Sequence, residues 1–204
     1  MRSCEAAKEM PNQTNSAADE SAQAGSFFMP DTLILNPATL ERALQRMAHE
    51  IAERNEPANG LVIVGVQRGG VFLAARLAAL LQKIIGQPVP SGSLDVSMHR
   101  DDIGTQAAPN VHPTEIPFDV TGKTVVLVDD VLFSGRTTRA ALDALNDFGR
   151  PQRVQLAVLI DRGHRELPIK ADFVGKNVPT SLRERVNVQL KEDGGEDIVT
   201  LEKL

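Results

Sequence analysis

Apolar residues are spaced along the chain in two ways. Between Asn36 and Asn55 the stretch NPATLERALQRMAHEIAERN puts Leu40, Leu44, Met47 and Ile51 at three- and four-residue intervals, which makes one face of an amphipathic helix. Asn36 is placed to cap it, and Pro37 suits its first turn. GLVIVGV, from Gly60 to Val66, is instead a continuous apolar run bounded by glycines, as in a strand covered on both faces. GGVFLAARLAALLQKIIG, which follows, predicts a helix. The strand-loop-helix unit returns with TVVLVDD, a turn, and a helix ending at Gly149-Arg150-Pro151. RVQLAVLID predicts a third buried strand, VNVQL and DIVTL predict two shorter ones, and Leu94, Val96 and Met98 alternate as in a strand. There is no internal repeat. The alternation implies an α/β fold with a mostly parallel sheet flanked by helices.

Two segments carry no such pattern. Residues 1–29 are rich in Ala, Ser, Asn, Gln and Glu and are expected to be a disordered leader, which leaves residues 30–204 as a single domain. The polar tract from His99 to Lys123 is longer than most connections in compact domains, which points to a functional or disordered loop. Charge sharpens the picture. The net charge of −5 is accounted for by residues 1–30 and 191–204, so the body is neutral, yet Arg136 to Arg185 holds ten Arg or Lys against six Asp or Glu. A generic nucleic-acid binder would be basic throughout, whereas a local basic patch remains compatible with this distribution. With no Trp, no Tyr and seven Phe, aromatic platforms for single strands are not expected. The lone Cys4 excludes a disulfide framework and a cysteine-based zinc site. The longest apolar segment, VFLAARLAALL, is interrupted by Arg76 and too short to span a bilayer, so no membrane association and a cytoplasmic location are expected.

The chemistry concentrates in VVLVDDVLFSGRTT, where two aspartates close an apolar run and a Ser-Gly-Arg-Thr-Thr turn leads into a helix. Ligands of open parallel sheets bind at the carboxyl ends of the strands, and a turn of this kind offers backbone N–H groups, hydroxyls and the positive end of a helix to a phosphate. Carboxylates beside a phosphate make sense when the ligand also presents hydroxyls or carries Mg²⁺. A phosphorylated sugar meets both requirements. Taken singly, each aspartate is as well explained as a turn former and each Ser or Thr as a helix cap; the combination is what points to a site. Two other phosphate motifs fail. Gly122-Lys123-Thr124 lacks the first P-loop glycine, since Pro117 stands there, and Gly65, Gly69 and Gly70 have the wrong spacing for a dinucleotide fingerprint.

The string from Val125 to Thr137 resembles the phosphoribosyl pyrophosphate (PRPP) motif of the type I phosphoribosyltransferases. More narrowly, LERALQRMAHEIAERN, DVSMHRDDIG and GRPQRVQLAVLIDRGHRELPIKADFVGKNVPTS, in this order with the motif, resemble the family of bifunctional pyrimidine-operon attenuators and uracil phosphoribosyltransferases, from about Leu33 to the C-terminus. The resemblance implies conversion of uracil and PRPP to UMP and pyrophosphate with Mg²⁺. It also implies UMP-dependent binding of pyrimidine-operon leader mRNA that promotes transcription termination, and a homo-oligomer. By matching position, Val125, Val126, Leu127, Val128, Asp129, Asp130, Val131, Leu132, Phe133, Ser134, Gly135, Arg136 and Thr137 bind PRPP. Within that string Asp129 and Asp130 hold the ribose hydroxyls, with Mg²⁺ nearby, and Leu132 to Thr137 hold the 5′-phosphate. Gln67, Arg68, Gly69 and Gly70 form the pyrophosphate loop, residues 100–117 form a flexible lid containing Arg100, and Val174 and Val178 lie near the base. Asp129, Asp130, Arg68 and Arg100 are the implied catalytic residues.

Arg46, His49, Arg165, Lys170 and Lys176 are the implied RNA contacts. Arg42, Arg46 and His49 share one helical stripe, a pattern that a plain solvated face also explains, with Glu50 and Glu53 beside it. Departures from the family pattern fall at Arg68-Gly69-Gly70 in place of Thr-Arg-Gly, at Phe133 and Ser134 in place of Tyr and Thr, at Gln45 in place of Thr, and at Lys170 in place of Arg. The last loses bidentate contacts. Three readings therefore stand: the bifunctional transferase, an RNA-binding regulator with vestigial catalysis, and a purine transferase. Orotate is disfavoured because the tract from His99 to Gly122 lacks lysine.

Overall fold

In a computed structural model that describes residues 32–99 and 112–204, the apolar runs become the middle of a parallel sheet. The elements in chain order are β1 (Thr32–Leu35), α1 (Pro37–Arg54), β2 (Leu61–Val66), α2 (Gly69–Ile85), β3 (Ser91–Leu94), β4 (Thr124–Leu132), α3 (Arg136–Leu145), β5 (Arg153–Asp161), β6 (Phe173–Asn177), β7 (Glu184–Gln189) and β8 (Ile198–Lys203). Strands β3-β2-β4-β5-β6 pair in that order, all parallel. Alternate side chains serve opposite faces. Leu61, Ile63, Val126 and Val128 join the core under α1 and α2, while Val62, Val64, Val125 and Leu127 join the core under α3. Both faces are covered, which is why these strands read as unbroken apolar runs. At the start of α1, Asn36 and Thr39 exchange side-chain and backbone hydrogen bonds as a capping box, each 2.9 Å long.

The parallel sheet and its flanking helices agree with the sequence expectation. A second sheet does not follow from it: β1, β8 and β7 pair antiparallel, and Leu35, Val186 and Val199 bury into the same core as α1 and α2. Arg76, read in the sequence only as a break in an apolar segment, ties α2 to this sheet. Its guanidinium forks onto Glu192 (2.5 and 2.8 Å) and Asp197 (2.7 and 2.9 Å). The hydrogen bonds from Arg76 hold the Glu192 and Asp197 carboxyls below their ordinary range.

The strand expected through Met98 stops at Leu94. The Asp95 side chain accepts the Ser97 N–H at 2.6 Å, turning the chain into a short 3₁₀ helix on which Met98 is exposed. Burial opposes the charge on Asp95, but hydrogen bonds from Ser97 and the His112 N–H outweigh it and keep this carboxyl below its usual value. Residues 1–31 and 100–111, and with them the expected leader, Arg100 and most of the expected lid, lie outside the described residues. The remainder of the lid tract, residues 112–117, is anchored to the sheet edge: Ser93 and Glu115 exchange backbone hydrogen bonds of 2.8 and 2.9 Å. Among the described residues, no helix is long and apolar enough to cross a membrane.

Candidate active site

The chain leaves β2 toward β3 on one side and returns through β4 on the other, so the sheet order reverses between two adjacent strands. Their carboxyl ends form the crevice where such sheets hold ligands. Pairing of β2 with β4 ends at Gly65 and Val128, whereas β4 continues along β5 as far as Leu132 and Asp161. The acidic pair therefore lies within the strand and not at its tip, because β5 keeps β4 extended. It sits at the point where β2 no longer covers it.

The loop expected to hold pyrophosphate fills that gap. A β-carbon on Gly69 would stand 2.6 Å from Asp130 Oδ2, and one on Gly70 would stand 2.3 Å from the Val128 carbonyl oxygen. Two glycines thus let the start of α2 lie directly on the acidic pair. Arg68 is exposed at the head of α2, and the Gln67–Arg68 peptide is cis. Asp129 is buried, and its Oδ1 accepts the Asp130 N–H at 3.0 Å. Asp130 Oδ1 accepts the Val131 N–H at 2.7 Å, while Oδ2 faces the loop.

Beyond Leu132 the chain turns through Phe133 and Ser134 to Gly135, whose φ of +93° is open to glycine and unfavourable for other residues. Gly135 stands at the N-cap of α3 and makes no side-chain hydrogen bond to its first turn. Ser134 Oγ accepts the Arg136 N–H at 3.4 Å. A cavity of about 360 Å³ opens here, lined by Asp129, the turn from Val131 to Thr138, and Glu166. Within it the buried Thr138 hydroxyl has no hydrogen-bond partner among the described residues. The Asp129 carboxylate on one side and the positive end of a helix on the other suit a ligand carrying both hydroxyls and a phosphate. One acid intrudes: Glu166 pairs with Arg136 at 2.7 Å on the cavity rim. Chain order gave no sign that it belongs to the site.

The two expected base contacts separate. Val178 lies past the end of β6, its N–H donating to Asp161 O at 2.8 Å. Val174 pairs with Val158 inside the sheet and packs on the α3 side.

The expected RNA contacts also divide. His49 and Lys170 are exposed. Arg46 donates to the carbonyls of Val174 (2.9 Å) and Gly175 (2.6 Å) and pairs with Glu50 at 2.6 Å, fastening α1 to the edge strand β6. Lys176 reaches Ile34 O at 3.0 Å, joining β6 to β1. Arg165 is partly buried, and its guanidinium donates to the Phe133 carbonyl behind the turn that follows β4. Phe133 in that turn is covered by Arg162 at 4.3 Å and meets His164 edge-on at 6.1 Å.

Residues 33–190 match the family model described as the phosphoribosyl transferase domain. The bifunctional protein PyrR of Roseiflexus sp. is 60% identical over 171 residues, which is 83% of this chain and 93% of that one. PyrR of Pelotomaculum thermopropionicum is 60% identical over 171 residues, 83% and 94% of the two chains. Among solved structures, the hypoxanthine phosphoribosyltransferase of Trypanosoma cruzi superposes with a TM-score of 0.64 at 19% identity, covering 85% of this chain and 97% of that one, a likeness of fold.

Proposed function

The chain belongs to the phosphoribosyl transferase domain family, among the bifunctional PyrR proteins, and from that premise we propose that it joins uracil to the ribose of PRPP, giving UMP and pyrophosphate, and regulates pyrimidine-operon transcription. The observation that carries the transferase reading is the close approach of Gly69 to the Asp130 carboxylate, next to Asp129 in the lining of the cavity. In this reading the pyrophosphate and phosphoribosyl halves of one substrate would lie side by side there.

In this reading, the first turn of α3 and the Ser134 and Thr137 hydroxyls hold the 5′-phosphate, while Asp129 and Asp130 accept the ribose hydroxyls. N1 of uracil bonds to the anomeric carbon as the bond from that carbon to pyrophosphate breaks, and the N1 proton leaves to solvent. Positive charge develops on the ribose, as in other glycosyl transfers, and the carboxylates face it. Arg68 and the N–H groups of the Gln67-to-Gly70 loop take the charge of the departing pyrophosphate. Val178, at the end of β6, borders the base. Among the described residues no group of three His, Cys, Asp or Glu forms a metal cage. The hard oxygens of Asp129 and Asp130 fit Mg²⁺ that arrives with substrate phosphates. Bound there, Mg²⁺ would supply positive charge to offset that of the pyrophosphate.

Product formation from PRPP and Mg²⁺ with uracil, hypoxanthine, guanine and orotate tests this, with Asp130→Asn as control. UMP from uracil alone, lost in the variant, is expected; a purine nucleotide in its place would refute the base assignment. For the regulatory activity, the ligand is pyrimidine-operon leader mRNA in the presence of UMP, with exposed His49 and Lys170 at its surface. A gel shift at moderate salt that does not depend on UMP would refute that part.

A further inference from the structure

We propose that Arg165 is a positioning residue of the phosphoribosyl site, holding the phosphate turn in shape from behind; this rests on the transferase reading above. A turn that aims successive N–H groups into a cavity must direct its carbonyls elsewhere, and buried carbonyls require donors. Here all three carbonyls before Gly135 are met by one segment. Leu132 O accepts the Arg162 N–H at 3.1 Å, and Ser134 O accepts the N–H groups of Glu166 and Leu167 at 3.0 and 3.2 Å. Phe133 O, between them, accepts Arg165 Nη1 at 2.8 Å.

The same guanidinium fixes the segment that carries it. Nη1 also reaches Gly163 O at 3.1 Å, Nε donates to Ile169 O at 3.1 Å, and Nη2 pairs with Asp161 Oδ2 at 2.5 Å. Arg165 thus joins the end of β5, the following loop and the phosphate turn through one planar group. Lysine, with a single ammonium, cannot bridge these acceptors at once. The cavity lining includes Glu166 but not Arg165, so the arginine acts on the ligand only through the turn.

The test measures Arg165→Gln, Arg165→Lys and Asp161→Asn for kcat, for KM toward PRPP and uracil, and for UMP affinity by calorimetry. Arg165→Gln is expected to raise KM for PRPP and Kd for UMP about tenfold, the loss of one charge-assisted anchor, while KM for uracil changes by less than about twofold. Arg165→Lys is expected to restore part of the loss, and Asp161→Asn to shift the same two constants less. A merely structural arginine would lower the melting temperature and the active fraction without splitting the two KM values. Folded Arg165→Gln with wild-type affinity for PRPP and UMP would overturn the proposal. If that variant does not fold, unchanged affinities in both Arg165→Lys and Asp161→Asn would do so. Because UMP affinity is read without turnover, a wild type that binds UMP but does not convert uracil would refute the transferase activity alone, and the affinity shift would still decide the role of Arg165.

Discussion

Replacing Gly69 and Gly70 by alanine separates the chemistry of the pyrophosphate loop from its packing. A β-carbon at Gly69 would lie 2.6 Å from Asp130 Oδ2 and 2.9 Å from its Cγ. An unstrained carbon-to-oxygen contact needs roughly 3.3 Å, so the carboxylate must retreat by roughly 0.7 Å. Misplacement of a reacting group by that much costs on the order of 30- to 100-fold in rate, and the displaced group is a side-chain end that can move without disturbing the core. The β-carbon at Gly70 instead meets the backbone of β4, 2.3 Å from Val128 O and 3.1 Å from Asp129 Cα. Overpacking of a strand backbone costs about 1–3 kcal/mol, or about 3–10 °C in melting temperature for a chain of this size. UMP formation at varied PRPP gives kcat/KM. Because the chain has no Trp or Tyr, melting is followed by far-ultraviolet circular dichroism. Gly69→Ala should lose about 30- to 100-fold in kcat/KM for PRPP with its melting temperature nearly unchanged, and Gly70→Ala should lose mainly stability. Wild-type kcat/KM in Gly69→Ala would mean that the Asp130 carboxylate does not touch the reacting ribose.

Three further outcomes follow from the geometry. Glu166→Gln removes the acid on the cavity rim that shares Arg136 with an incoming phosphate; calorimetry should show UMP bound about two- to fivefold more tightly, the gain shrinking at high salt. The Glu192 and Asp197 carboxyls are depressed when folded, so the stability they contribute is complete above their ordinary unfolded pKa values, near 4.5 and 3.8, and is lost as pH falls through the lower folded values. Arg76→Gln should therefore melt several degrees below wild type at pH 7, and the gap should close as the pH is lowered past about 4 in circular-dichroism melts. Asn36→Ala, which breaks the α1 capping box, should cost about 1 kcal/mol in chemical denaturation and leave kcat/KM for PRPP unchanged.

What could be read from the sequence was set by local rules, and what could not was set by where distant backbones meet. Val62 and Ile63, or Val125 and Val126, serve opposite faces of a covered sheet, so a continuous apolar run between glycines was enough to place β2 and β4. The acidic pair and its turn announced a phosphate-and-hydroxyl site because their chemistry is consecutive in the chain. The antiparallel sheet was hidden, since β1 pairs with β8 from the opposite end of the chain and no turn signal joins them. The arginines were hidden for a second reason: a long cationic side chain on a polar stripe has the same sequence signature whether its tip meets solvent or a backbone carbonyl. The family resemblance groups Arg46 and Arg165 with His49 and Lys170, yet Arg46 fastens α1 to β6 and Arg165 fastens the turn after β4 to the end of β5. The local excess of basic residues between Arg136 and Arg185 therefore overstates the charge free at the surface of this segment. Part of that excess is spent inward, in the segment that backs the turn after β4, so on the proposed reading nucleotide affinity and RNA affinity should respond differently to Arg165→Gln than to Lys170→Gln. The first should weaken UMP binding directly and RNA binding through it. The second should weaken RNA binding alone, and a loss of UMP affinity in Lys170→Gln, read by calorimetry beside a UMP-dependent gel shift, would refute this division.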